Sequence, residues 1–151
     1  MRRTEKEITN RREIDFILSK ATVCRIGFND RDAPYIVPLN FGYSNNCLYF
    51  HSASEGKKIE LIKRNSLVCF EVDIDHEIIN TGIPCKWSSK YASVIGYGKA
   101  SLVTDPTQKK DALNILIDHY SHGESCTFPE KNLKEVTIIK IEINQMTGKK
   151  S

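Results

Sequence analysis

The stretch His51-Ser52-Ala53-Ser54-Glu55-Gly56-Lys57-Lys58 concentrates groups that bind a phosphate. Ser52 and Ser54 bring hydroxyl donors, Gly56 lets the backbone approach a ligand closely, and Lys57 and Lys58 can neutralise a dianion. If a helix starts at the lysines, its first N–H groups add unpaired donors aimed at the same place. The same residues also describe a capped surface helix with solvated lysines, which composition alone favours. His51, just ahead of the turn, could titrate or donate a hydrogen bond to a substrate, or could be a hydrogen-bonded histidine at a strand end.

Two other segments could handle a flat ring. Val37-Pro38-Leu39-Asn40-Phe41 carries a proline inside a sheet-like run. Proline removes a ladder donor and marks an edge or a bulge, which frees nearby backbone groups and the Asn40 amide for the polar edge of a heteroaromatic ring. An ordinary edge strand is the alternative. Trp87-Ser88-Ser89-Lys90-Tyr91-Ala92-Ser93-Val94 interleaves aromatic and hydroxyl groups, and could cover a ring, bind a phosphate or meet another subunit. His119, His122 and Cys126 are spaced as zinc ligands could be, but a helix C-terminus attracts histidine through its dipole and no fourth ligand is evident. The five cysteines, Cys24, Cys47, Cys69, Cys85 and Cys126, include no C-x-x-C pair, so reduced thiols are expected. Cys24, Cys47 and Cys69 lie in strand-like runs as small hydrophobes, whereas Cys85 sits in a loop near Trp87.

The elements that would position these groups follow from hydrophobic period. Asn10 with Glu13 opens a short helix whose Ile14, Ile17, Leu18 and Ala21 share a face. The period then shortens to two: Cys24, Ile26 and Phe28 form one strand, and Tyr35, Val37, Leu39, Phe41 and Tyr43 a second. Ser44-Asn45-Asn46 turns that second run into Cys47–His51, a hairpin. A brief helix carries Ile59, Leu61 and Ile62, a strand carries Val68, Phe70 and Val72 with His76–Ile79 as its extension, and Tyr91–Val103 is the longest strand. Asp105-Pro106 starts a helix that ends near His122-Gly123, and Thr137, Ile139, Ile141 and Ile143 alternate in the last strand. About six strands and about three helices without regular βαβ alternation predict an α+β fold, an antiparallel sheet curled into a small barrel.

The chain of 151 residues suits a single domain, 1–151, and is too short for a dinucleotide domain plus a substrate domain. With 22 Lys+Arg against 19 Asp+Glu, the net charge of +3 lacks the basic excess of a nucleic-acid binder, and the lysines near the C-terminus read as a solvated end. No apolar run reaches the roughly 18 to 20 residues of a membrane span, and no apolar signal region follows the charged N-terminus. A cytoplasmic protein with neither nucleic-acid nor membrane partners is expected.

Taken in order, VPLNFGY, LYFHSASEGKK, the segment from Asn65 to Asp73, KWSSKYASVIGYGKA and IIKIEINQMTGK resemble the pyridoxamine 5′-phosphate oxidase-related flavoproteins, especially the nitroimidazole-resistance branch. The resemblance covers nearly the whole chain. It implies a split β-barrel with short flanking helices that binds FMN at the interface of a homodimer. Pro38, Leu39, Asn40 and Phe41 would then lie along the isoalloxazine ring, with Ser52, Ala53, Lys57 and Lys58 around the FMN phosphate and His51 beside the same site. Trp87, Tyr91, Ser93 and Val94 match the segment that reaches the flavin from the other subunit. The chain ends in Asn144–Ser151 where oxidases of pyridoxamine phosphate carry an arginine-rich segment, which argues against that reaction. The implied activity is flavin-dependent reduction of a nitroaromatic or similar small molecule, with a reduced nicotinamide or another donor. A flavin carrier or redox sensor without turnover is the second class, and a barrel for single-stranded nucleic acid, disfavoured by the charge, the third.

Overall fold

Asn10 caps the first helix as its position predicts: its side chain accepts the Arg12 N–H at 2.9 Å at the start of α1 (Arg11–Lys20), and Ile14, Ile17 and Leu18 turn inward. The structure, a computed structural model, describes residues 3–121, 123 and 127–151. Ahead of α1 lies β1 (Glu7–Ile8), and after it come β2 (Cys24–Phe28), β3 (Tyr35–Leu39), β4 (Gly42–Ser44) and β5 (Cys47–Ser52). Helix α2 (Lys57–Arg64) leads to β6 (Leu67–Ile79) and β7 (Ser88–Val103), then α3 (Pro106–Ser121), α4 (Glu130–Glu135) and β8 (Thr137–Lys150). Asp105 caps α3 by accepting the Gln108 N–H at 2.9 Å.

The strands form one antiparallel sheet in the order β3-β2-β6-β7-β8-β5-β4, with β1 added to the far end of β8. Strands β3 and β4 stand at opposite ends of this order, yet only Asn40 and Phe41 separate them in the chain. So short a link forces the two edges of the sheet to face each other, and the result is a split β-barrel in an α+β fold.

Here the structure differs from the sequence reading. The run from Tyr35 to Tyr43 is two strands on opposite flanks of the split. The hairpin survives, since β4 pairs with β5 and Asn45 and Asn46 take the positive φ values, 51° and 60°, of a tight turn. The break follows Pro38, which has no N–H to give a further neighbour and sits opposite Arg25 on the last strand of its flank. The sheet has eight strands because this run divides and β1 joins. The final strand also outruns its apolar alternation. Lys149 lies over the Tyr91 ring at 5.5 Å and Lys150 pairs with Glu13 at 2.7 Å, so the last lysines belong to the sheet.

Phe41, Phe50 and Phe70 fill the barrel with Ile26, Leu48, Ile139 and Ile141, and α1 and α2 close it with Ile17, Leu18 and Ile59. Each such side chain contributes roughly 1.5–3 kcal/mol by leaving water. On the outer face, Ile138 is covered by Ala112 and Leu116 of α3. Beyond the register shift between Ile74 and Glu77, β6 and β7 continue as a two-stranded arm. Cys24 is buried, which pushes its thiol pKa up, and Cys24, Cys47, Cys69 and Cys85 are all unpaired. Cys126 lies outside the described residues.

Asp30, in the loop after β2, ties that loop to α2 by accepting from Lys57 at 2.9 Å and Arg64 at 2.8 Å. The hydrogen bond from Lys57, then that from Arg64, holds its carboxyl well below the usual carboxylate range. A carboxyl with a lowered folded-state pKa adds stability above its unfolded pKa of about 3.9 and loses it as pH falls through the folded value. In denaturant titrations, the stability gap between wild type and Asp30→Asn should therefore be full at neutral pH and close only below about pH 4. A gap that closes near pH 6 would contradict the assignment.

Candidate functional site

Strand β5 delivers the predicted phosphate groups by its alternation. Leu48, Phe50 and Ser52 face inward, and His51 faces out. Ser52 is 9% exposed, and its hydroxyl is buried with no hydrogen-bond partner among the described residues. An unsatisfied hydroxyl of this kind costs about 1–3 kcal/mol. The exposed Ala53, Ser54 and Glu55 follow, and Gly56 starts α2 at φ 114° and ψ 173° with nothing within 4 Å of a built Cβ. No side chain caps α2, so the first N–H groups of this helix open into that space.

The two lysines divide. Lys57 is held by Asp30 at 2.9 Å and lies 4.5 Å from the centre of the Tyr35 ring. The half-buried Lys58 has no ion-pair partner among the described residues. As neighbours of one type they are equivalent in the sequence, and nothing there marks Asp30 as the partner of one.

At the split, Pro38 and Asn40 are exposed, Leu39 is half-buried, and the Phe41 side chain is in the core against Phe50. Asn40 and His51 come together. They line one cavity of about 360 Å³ whose other wall is α3, with Leu113, Leu116, Ile117 and Tyr120. Sequence reasoning missed this wall, because its apolar period reads only as a helix face packed on a core.

The end of α3 also fastens the crossing. The Phe41 N–H donates to the Tyr120 hydroxyl at 2.9 Å, and that hydroxyl donates to the Thr22 carbonyl at 2.9 Å. His119 Nε2 lies 2.8 Å from the Ala21 carbonyl, and the ring sits 4.6 Å from the Phe41 ring. His119 is thus a structural hydrogen-bonding residue; of the other two zinc candidates, His122 and Cys126 lie outside the described residues. No group able to hold a metal ion occurs among the described residues. Tyr120→Phe should cost about 1–3 kcal/mol by orphaning the Phe41 N–H, seen as a lower denaturant midpoint at unchanged slope. An unchanged midpoint would mean that the hydroxyl carries no part of the fastening.

The ring-covering segment lies partly on the arm. Trp87 follows a 3-10 turn and is 48% exposed, Tyr91 and Ser93 are half-buried, and the Val94 side chain is fully buried in the barrel. The structure of one chain does not bring this segment to the Asn40–His51 cavity. Outward-facing apolar residues also occur on the sheet, with Ile36 at 63% and Tyr97 at 52% exposure. Between them runs a groove of about 720 Å³ that also includes Gly27, Leu67 and Cys69. No described helix is long and apolar enough to cross a membrane.

Residues 10–150 match the pyridoxamine 5′-phosphate oxidase family. Among solved structures, a candidate 5-nitroimidazole antibiotic resistance protein from Bacteroides thetaiotaomicron is 34% identical, with a TM-score of 0.85 over 95% of this chain and 85% of that one. An FAD-binding protein from Mesorhizobium loti is 25% identical, with a TM-score of 0.69 over 94% and 95% of the two chains. The flavocytochrome of Azotobacter vinelandii is 18% identical and shares the fold, with a TM-score of 0.87 over 100% of this chain and 72% of its own. No curated protein matches in sequence. The split barrel, its motifs in order and these likenesses agree: the chain belongs to the pyridoxamine 5′-phosphate oxidase family.

Proposed function

We propose that this protein binds FMN as a homodimer and uses it to reduce nitroaromatic or related small molecules. The observation that carries the reading is that the fold brings Asn40 of the split together with His51, directly ahead of an open phosphate turn in the chain. The residues present fit a flavin phosphate. The buried Ser52 hydroxyl has no partner among the described residues, the space at Gly56 is open, and no side chain caps the first N–H groups of α2. Lys58 supplies a cation that is not spent on a described carboxylate, while Lys57 and Asp30 brace the turn. Pro38, Leu39 and Asn40 would lie along the ring edge, where the Asn40 amide can donate or accept, and His51 stands ready to hydrogen-bond the ring or an acceptor.

The bound flavin would supply the redox chemistry, taking a hydride from a reduced nicotinamide and passing two electrons to the acceptor. For a nitro compound the balance closes with one added proton: the nitro group becomes a nitroso group and water, and the nicotinamide is oxidised. One relative is named for 5-nitroimidazole resistance and others for flavin, which supports this choice of acceptor.

The homodimer rests on the arm and the apolar face. A two-stranded arm with Ile78, Ile79, Ile83 and Trp87 exposed is marginal alone in water, and the separate apolar patch around Ile36 and Tyr97 on the sheet marks a partner surface. A second copy would cover both, and would bring Trp87, Tyr91 and Ser93 to the first copy's flavin. The Val94 side chain is committed to the core, and its backbone lies in the ladder between Val72 and Gly148.

The test is a spectrum, a mass and an assay. The purified protein should show flavin absorbance, release FMN rather than FAD on denaturation, run as a dimer in light scattering, and oxidise NADH or NADPH when a nitro compound is added. Flavin bound tightly without turnover across donors and acceptors would make it a carrier. A colourless monomer that cannot be reconstituted would defeat the proposal.

A further inference from the structure

The cavity between the split and α3 has a composition of its own. Leu113, Leu116 and Ile117 make its wall apolar, and Tyr120 adds a ring whose hydroxyl is already committed to Phe41 and Thr22. Polar contact falls to Asn40 and His51 at the opposite side, neither of which makes a side-chain hydrogen bond among the described residues, while Ser121 at the end of the helix lines the same space and is already engaged in an interaction of its own. A site with one apolar wall and two adjacent polar groups orients a flat molecule that is apolar on its face and polar at one edge. At about 360 Å³ the space is at the small end of ligand cavities, which run from roughly 300 to 1,000 Å³, so a molecule of one or two rings fits it.

We propose that this cavity is the acceptor subsite and that Ile117 on α3 is its specificity-determining residue. The proposal rests on the flavin reading above, because Asn40 and His51 are shared between the ring edge and the cavity. A single aromatic ring bearing a nitro or carboxylate group would lie against Leu113 and Ile117, with its oxygens toward the Asn40 amide and the His51 ring. Tyr120 acts here as a positioning residue: by holding the Phe41 N–H it fixes the peptide that presents Asn40. Acceptor size would then be set by a helix outside the recognisable motifs. Relatives with the same phosphate turn could differ in acceptor through this position alone.

The experiment uses the flavin-loaded dimer without an electron donor, so that binding is read without turnover. Titration with 2-methyl-5-nitroimidazole should perturb the flavin absorbance saturably. Ile117→Trp, which fills the cavity, should raise the Kd for this probe at least tenfold while the FMN Kd, read by quenching of flavin fluorescence, stays within about twofold. Ile117→Ala, which enlarges the cavity, should weaken the one-ring probe several-fold and gain affinity for a two-ring nitroaromatic; it serves as the test if the tryptophan variant melts early. An unchanged probe Kd in a folded, flavin-loaded variant overturns the assignment, and so does a wild-type protein that binds flavin but not the probe. Failure to bind flavin at all is read separately in the fluorescence titration and strikes the preceding proposal instead.

Discussion

Gly98→Ala should lower the melting temperature by roughly 6–12 °C, the equivalent of about 3 kcal/mol or more. At Gly98 the pairing of β7 with β8 slips, with Tyr97 opposite Gln145 and Gly98 opposite Ile143. A Cβ at this position would run into the Glu142 carbonyl oxygen and lie 2.7 Å from the Ile141 side chain. The obstacle is backbone in the middle of the sheet, so no rotamer change relieves it, and opening the ladder would separate the strands with the most extensive mutual contact. Gly27→Ala is the control. Its Cβ would meet only Cys69 atoms at 3.8 Å, an ordinary contact, and its melting point should stay within a degree or two of wild type. Equal losses in the two variants would show that the close approach to β8 does not set the cost.

Lys58→Ala should weaken FMN binding by roughly ten- to a hundredfold, the equivalent of about 1.5–3 kcal/mol for a charge-assisted hydrogen bond to phosphate. Lys57→Ala should do less to affinity and more to stability, because the Lys57 ammonium is spent on Asp30 and the Tyr35 ring. Riboflavin sharpens the comparison. It lacks the phosphate, so its affinity should be the same in wild type and Lys58→Ala. Fluorescence titration with both flavins reads the difference, and a Lys58 effect of similar size on riboflavin would remove this residue from the phosphate site.

Much of this arrangement is legible in the amino-acid sequence. Asn10 and Asp105 announce helix starts because capping is local, and the alternation through Cys24–Phe28 and Thr137–Ile143 reports one buried face of a strand. The open turn from His51 to Lys58 is legible for the same reason: its groups are neighbours in the chain. What escapes are facts about distant partners. Nothing near Tyr35–Tyr43 says that the run must pass from one flank of the sheet to the other, since alternation is the same on both sides of the crossing. The pairing of Lys57 with Asp30, the fastening of Phe41 by Tyr120 and the α3 wall opposite His51 each join residues far apart in sequence, and their residue types are ordinary for a surface or a core. Lys150 stays exposed, as a charged end reads, but composition does not show that Lys149 and Lys150 also extend the last strand beside β1 and α1.

The place of β8 in the sheet bears on how the protein is made. It lies between β7 and β5 and also carries β1, so it joins the two flanks of the barrel, yet it is synthesised after every other strand. Until it leaves the ribosome, the β4–β5 hairpin has only its own two strands and the β6–β7 hairpin lacks its inner neighbour, leaving Phe50 and Phe70 without most of their cover. Closure is then a late, all-at-once event with long loops to bridge, the kind of step that is slow and open to aggregation. Expression at low temperature should raise the soluble yield, because the barrel can close only after its last strand has arrived.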